Sequence, residues 1–154
     1  MRTSREFSAG GIVFKKVNDQ TLWLIVQPEG GGHWSKDRFQ FPKGLIETGE
    51  KAPQTAKREV AEETGVRADI VQKIDSLKIF FFDEEKNRIQ KTITLFLMEF
   101  KQEGERQEDE EKIKEIFWLP YEEALQKLTF DTEKKALEKA RKILEEKVKQ
   151  QRLF

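Results

Sequence analysis

Apolar positions along the chain change their period several times, and each change marks an element. Residues 7–17 mix small and apolar side chains (Ser8-Ala9-Gly10-Gly11-Ile12-Val13-Phe14) and read as a first strand. Glycine inside a strand often marks close approach of another backbone or a ligand, which singles out Gly10 and Gly11. Asn18 and Asp19 make a turn into residues 21–26, a continuously apolar run that fits a strand buried on both faces. Residues 68–82 and 88–100 read as two long strands, and the five polar residues between them predict a hairpin. The second of these places Ile93, Leu95 and Leu97 on one face and Phe96, Met98 and Phe100 on the other, as a central strand does. Phe80, Phe81 and Phe82 are consecutive, so they alternate faces and one or two of them point away from the core. Residues 113–119 supply a last strand.

Three stretches repeat at helical spacing instead. Residues 52–64 carry Ala52, Ala56 and Val60 on one stripe, with Pro53 in the first turn and Gly65 as the residue that ends the helix. Pro120 opens a short helix to about residue 128, with Ala124, Leu125 and Leu128 inward. Residues 131–148 form a final amphipathic helix along Ala136, Leu137, Ala140, Ile143, Leu144 and Val148. Strands, a helix, strands and two helices predict an α/β fold with helices on both faces of a sheet. Neither a repeat nor a linker interrupts it, so one domain is expected over residues 1–154.

Composition narrows the chemistry. Charged residues make up 38% of the 154, yet the net charge is zero, which gives no electrostatic case for sequence-independent nucleic-acid binding. Cysteine is absent, which excludes disulfides and thiol chemistry and fits a cytoplasmic protein. No apolar run approaches the ~20 residues that span a bilayer, and the polar N-terminus lacks a signal-peptide core. The only histidine, His33, lies with Trp34 in a Gly-rich loop over residues 28–37 and is assigned no role.

The helix over residues 52–64 carries the candidate chemistry. Glu59, Glu62 and Glu63 fall within roughly one third of its circumference. Arg58 can pair with Glu62 at i+4, but one cation does not balance three anions. A hard divalent cation such as Mg2+ or Mn2+ does, through carboxylate oxygens. The preceding loop, with Gly44, Gly49 and Glu50 beside Lys43, suits a phosphate–metal site.

Gly44, Glu50, Arg58-Glu59, Val60, Glu62-Glu63, Gly65 and Val66 follow one another with the spacing of a known signature. In this stretch the chain resembles the Nudix hydrolases. The resemblance implies a Nudix-like α/β/α sandwich, a mixed β-sheet between helices. It also implies hydrolysis of a nucleoside diphosphate linked to another group, with Glu59, Glu62, Glu63 and the Gly44 carbonyl as metal ligands. Arg58 then belongs to the catalytic set and pairs with Glu50 to fix the loop against the helix. A late-loop carboxylate completes such sites. Residues 101–111 carry six acidic residues, of which Glu110 or Glu111 is expected, with Glu111 taken as the catalytic one.

Within the family, Phe39 to Gly44 (an aromatic, one residue, Phe-Pro-Lys-Gly) and Lys91-Thr92 resemble the branch that cleaves diadenosine tetra- to hexaphosphates asymmetrically, releasing ATP. Lys43 and Lys91 then contact the substrate, and Phe80 and Phe82 are rings on which a base can stack. The segment departs from that branch at Phe39, where Trp is more usual, and at Thr48, where Pro is common. Gln40-Phe41-Pro42 is also similar to RNA 5′-pyrophosphohydrolases. The family resemblance equally allows an oxidised-nucleotide pyrophosphatase or, without hydrolysis, a nucleotide-binding sensor. The expected partner is a small nucleotide, with RNA 5′ ends as the one nucleic-acid option, no membrane, and an oligomeric state left open.

Overall fold

A computed structural model describes residues 2–30, 37–107 and 113–152. In chain order the elements are β1 (Thr3–Val17), β2 (Gln20–Pro28), β3 (Lys43–Leu45), α1 (Ala52–Thr64), β4 (Val66–Phe82), β5 (Arg88–Glu103), β6 (Ile113–Pro120), α2 (Tyr121–Lys127) and α3 (Asp131–Arg152). The main sheet runs β4-β5-β1-β2-β6, and β3 attaches to β1 alone. β1 and β5 are parallel while the other pairings are antiparallel, so the sheet is mixed.

The Asn18-Asp19 turn has positive φ at both residues (52° and 65°), the two-residue hairpin geometry whose twist matches the flanking strands. β1 divides its outer side between two partners. Ser8 to Gly10 pair with β3, and Phe14 to Val17 pair with β2. Gly10 permits this, because a Cβ there would overlap the Pro42 carbonyl and the Lys43 side chain.

Each face of the sheet carries its own core. α1 covers one with Ala56 and Val60 against Ala9, Val13, Leu24, Phe96 and Met98. α2 and α3 cover the other, where Ala124, Leu128, Ala136, Leu137 and Ala140 pack on Ile12, Trp23, Ile25, Phe41, Ile93, Leu95 and Leu97. The α/β/α sandwich is therefore present. β2 feeds both cores, as its unbroken apolar run predicts.

Several boundaries differ from the pattern. β1 begins at Thr3 because β5 pairs with it from Arg88 onward. β3 spans only three residues, too few for alternation to mark it in the sequence. All three consecutive phenylalanines are exposed, Phe80 by 52%, Phe81 by 41% and Phe82 by 64%. The β4–β5 ladder continues to Phe82–Arg88, beyond Leu77, the last β4 residue packed on either core. Among the described residues no helix is long and apolar enough to cross a membrane.

Candidate active site

The loop between β3 and α1 is shaped by its own carboxylate. Glu50 turns back so that its Oε1 accepts the Glu47 N–H (3.1 Å) and the Thr55 hydroxyl (2.9 Å). Gln54 accepts the Lys51 N–H at 2.8 Å, satisfying a backbone donor at the helix start. At the far end Gly65 adopts φ 78° and donates its N–H to Ala61, closing α1 as the sequence predicts.

Arg58 ties this loop to the helix. Its Nε and Nη2 donate to the two Glu50 oxygens (2.8 and 2.9 Å), the two-pronged geometry that guanidinium matches best. Nη2 also donates to the Leu45 carbonyl at 3.1 Å, so β3 is held too. Nη1 reaches Glu59 Oε1 (2.8 Å) and Glu62 Oε2 (3.1 Å), and Glu47 stands 3.8 Å away. The pairing of Arg58 with Glu50 holds the Glu50 carboxyl down at about 2, and the same hydrogen bonds raise Arg58.

One guanidinium thus serves four carboxylates, two of which belong to the acidic stripe. The third member, Glu63, is only 1% exposed, and Glu59 is 6% exposed. Gly44 lies directly against Glu59, since a Cβ on Gly44 would overlap that carboxylate. Concentrating buried and half-buried anions is costly unless positive charge joins them. The donors are all oxygens, the set a hard divalent cation prefers. Among the described residues no three such groups are gathered at metal-ligand spacing, and Arg58 Nη1 bridges Glu59 and Glu62. By donor type, burial and the Gly44 cradle, the site fits Mg2+ or Mn2+.

The other expected residues divide between the two sides of the sheet. Lys43 and Gly44 are neighbours in β3 and point in opposite directions. Gly44 faces α1, whereas Lys43 Nζ sits 3.8 Å from Glu133 Oε1 on α3. The strand register puts Phe80 and Phe82 on the α1 side and Lys91 on the α2–α3 side, beside Ile79 and Glu6. The Arg88 guanidinium covers the Phe80 ring at 4.4 Å. Glu110, Glu111 and His33 lie outside the described residues.

Glu133 is the residue that sequence reasoning missed. It is 3% exposed, and burial pushes its carboxyl up against the opposing effects of Lys43 and the Phe41 N–H. In the sequence it passes for a surface acid in a helix first turn. A signal was nevertheless present, because Glu133 falls on the stripe of Ala136, Leu137 and Ala140 at helical spacing.

Comparison with known proteins places this geometry. A NUDIX domain model matches residues 6–140. The chain is 34% identical over 151 residues to a Mycobacterium tuberculosis protein named MutT4, covering 94% of this chain but only 58% of that one. It is 29% identical over 148 residues to the mouse asymmetrical bis(5′-nucleosyl)-tetraphosphatase, covering 89% and 94% of the two chains. An Ap4A hydrolase of C. elegans, solved as a binary complex, has the same fold, with TM-score 0.71 and 21% identity over 90% of this chain and 97% of that one.

Proposed function

The chain belongs to the Nudix hydrolase family, and from that premise we propose that it cleaves diadenosine polyphosphates asymmetrically, with ATP as one product. The observation that carries the reading is the acidic stripe of Glu59, Glu62 and Glu63, with Glu59 against Gly44 and the Arg58 guanidinium among four carboxylates. Nudix hydrolases generally use divalent ions such as Mg2+. Here the three stripe carboxylates and the Gly44 carbonyl would hold the ion. When bound, it supplies charge neutralisation for the polyphosphate and a more acidic water.

The protein's own groups then set the geometry. Arg58 fixes the loop, β3 and α1 in one frame through Glu50 and the Leu45 carbonyl. β3 has no strand partner other than β1 among the described residues, so a polyphosphate can cross its outer edge. There it meets the carboxylate site on one side and Lys43, with Lys91 farther along that side, on the other. On the α1 side, Phe82 and the Phe80 ring, one face of which Arg88 covers, are exposed rings on which a base can stack. The oxygen of water attacks a phosphorus, the water proton passes to a general base (the role expected of Glu111), the anhydride P–O bond breaks, and the departing phosphate keeps the bond electrons. The Phe39 to Gly44 segment and the mouse relative favour the dinucleotide substrate.

A second reading, pyrophosphate release from an oxidised nucleoside triphosphate, draws on the relative named MutT4. Chromatographic product analysis with Mg2+ separates the two, using diadenosine tetraphosphate, diadenosine hexaphosphate, 8-oxo-dGTP and a 5′-triphosphorylated oligoribonucleotide. ATP from the dinucleotides is the expected result. Pyrophosphate from 8-oxo-dGTP or the RNA alone would replace the leading reading, and binding of all four without turnover would make the protein a sensor.

A further inference from the structure

The segment from Phe39 to Gly44 is a strap stitched to the sheet and to the α2–α3 layer. The Phe39 N–H donates to the Thr129 hydroxyl (2.8 Å), and the Thr129 N–H donates to the Phe39 carbonyl (3.0 Å). Gln40 exchanges backbone hydrogen bonds with Val26 (2.8 and 3.0 Å). The Phe41 N–H donates to Glu133 Oε2 at 2.9 Å, and the Phe41 ring is wholly buried. The Pro42 carbonyl accepts the Gly11 N–H at 3.1 Å.

Lys43 is the next residue on the α2–α3 side, and its hold is of a different kind. Its Nζ stands 3.8 Å from Glu133 Oε1, beyond hydrogen-bonding distance. That oxygen is buried and takes no hydrogen bond among the described residues. Ser8 Oγ, which the register puts on the same side, is likewise buried with no hydrogen-bond partner. A buried carboxylate thus keeps one oxygen fully engaged with the strap backbone and leaves the other in a slack ion pair.

We propose that Glu133 is a positioning residue for phosphate binding: it anchors the strap through Phe41 and holds Lys43 in a loose pair that an incoming phosphate displaces. The inference rests on the phosphate role proposed above for Lys43. Because Glu133 competes with the phosphate for one ammonium, it lowers anion affinity while keeping the cation oriented. Removing only its charge therefore strengthens anion binding, the reverse of what a purely structural residue does when damaged.

The test is a double-mutant cycle on the full chain, read by calorimetric titration with inorganic tripolyphosphate. Glu133→Gln keeps an oxygen for the Phe41 N–H and is expected to bind tripolyphosphate about three- to tenfold more tightly. Lys43→Ala is expected to bind it less tightly, and in that background Glu133→Gln should change nothing further. An unchanged affinity in Glu133→Gln, or the same gain with and without Lys43, overturns the inference. Equal binding by wild type and Lys43→Ala sinks the phosphate role of Lys43, and the inference with it. Loss of affinity only in Lys43→Ala leaves that role standing and removes Glu133 alone. Should Glu133→Gln not fold, NMR of the unmodified protein with 15N-labelled lysine and 13C-carboxyl-labelled glutamate decides. The Lys43 Nζ and Glu133 carboxyl resonances must shift together when tripolyphosphate is added, and a static Glu133 resonance overturns the proposal.

Discussion

The two faces of the sheet treat their acids in opposite ways. On the α1 face, Glu47, Glu50, Glu59 and Glu62 crowd around Arg58. On the α2–α3 face, the partners of the Glu133 carboxylate among the described residues are Lys43 and the Phe41 N–H, inside an apolar core. The consequences for ionisation are also opposite. Arg58 holds Glu50 far below its ordinary value, while burial lifts Glu133 above its own. A surplus of anions is tolerable where a cation is to be bound, and near-neutral pairing is what a core accepts. The contrast therefore distinguishes a site built for a ligand from a contact built into the packing, although both are made of Glu and a basic partner.

The sharpest way to break the comparison is to remove charge from the surplus. Glu63→Gln is expected to retain the fold and lose about 10²–10³-fold in Mg2+-dependent kcat/KM, checked by steady-state kinetics alongside circular dichroism. Near-wild-type turnover would mean that the buried carboxylate has no part in the reaction.

A steric probe comes next. Gly44→Ala drives a methyl group into the Glu59 carboxylate, and we expect roughly tenfold weaker Mn2+ binding by electron paramagnetic titration. Unaltered affinity would show that the Gly44 contact is incidental to the metal.

Arg58→Ala leaves the four acids without their shared cation. We expect it to cost about 1–3 kcal/mol in urea unfolding without divalent ions. Added Mg2+ should recover more stability in this variant than in wild type. An equal Mg2+ effect in the two proteins would argue that the surplus is not where the ion goes.

The smallest effect is a pH dependence. Glu50 has an ordinary value of 4.5 and a folded value of about 2, so its folded pKa is depressed. Its stabilisation is then complete above 4.5 and is lost as pH falls toward 2. Glu133 has the opposite sign, since a raised carboxyl is relieved by acidification. Glu50→Gln should therefore be less stable than wild type at pH 6, with the gap closing toward pH 2. A gap that persists at pH 2 would trace it to lost packing rather than lost charge.

The α1 face was the legible one. A helix writes its chemistry at fixed intervals, so Glu59, Glu62, Glu63 and Arg58 could be placed together from spacing alone, and Glu50 from the family signature. The buried stripe Ala56–Val60 and the five-residue hairpin loop were equally local and were found where expected. The opposite face depends on contacts across the chain. Glu133 and Phe41 are 92 residues apart, and no local pattern links them. The same limit hid the sidedness of the candidate binders: alternation separates Phe80 from Phe81, but only the register with β5 tells which side faces α1. Nor could sequence show that all three rings would clear the core, because that depends on how far the ladder outruns the helices.

The parallel pairing of β1 with β5 has a consequence for how the protein is made. Each β1 residue from Thr3 to Phe14 finds its β5 partner about 85 residues later, at Arg88 to Glu99. During synthesis, β1, β2 and the whole acidic helix are made before the strand that completes the centre of the sheet. Closing so long a loop comes before its contacts can offset the cost, which slows folding and prolongs the exposure of apolar strands. Nascent chains that end before Arg88 lack that partner, and those are the lengths at which a chaperone would have most to hold.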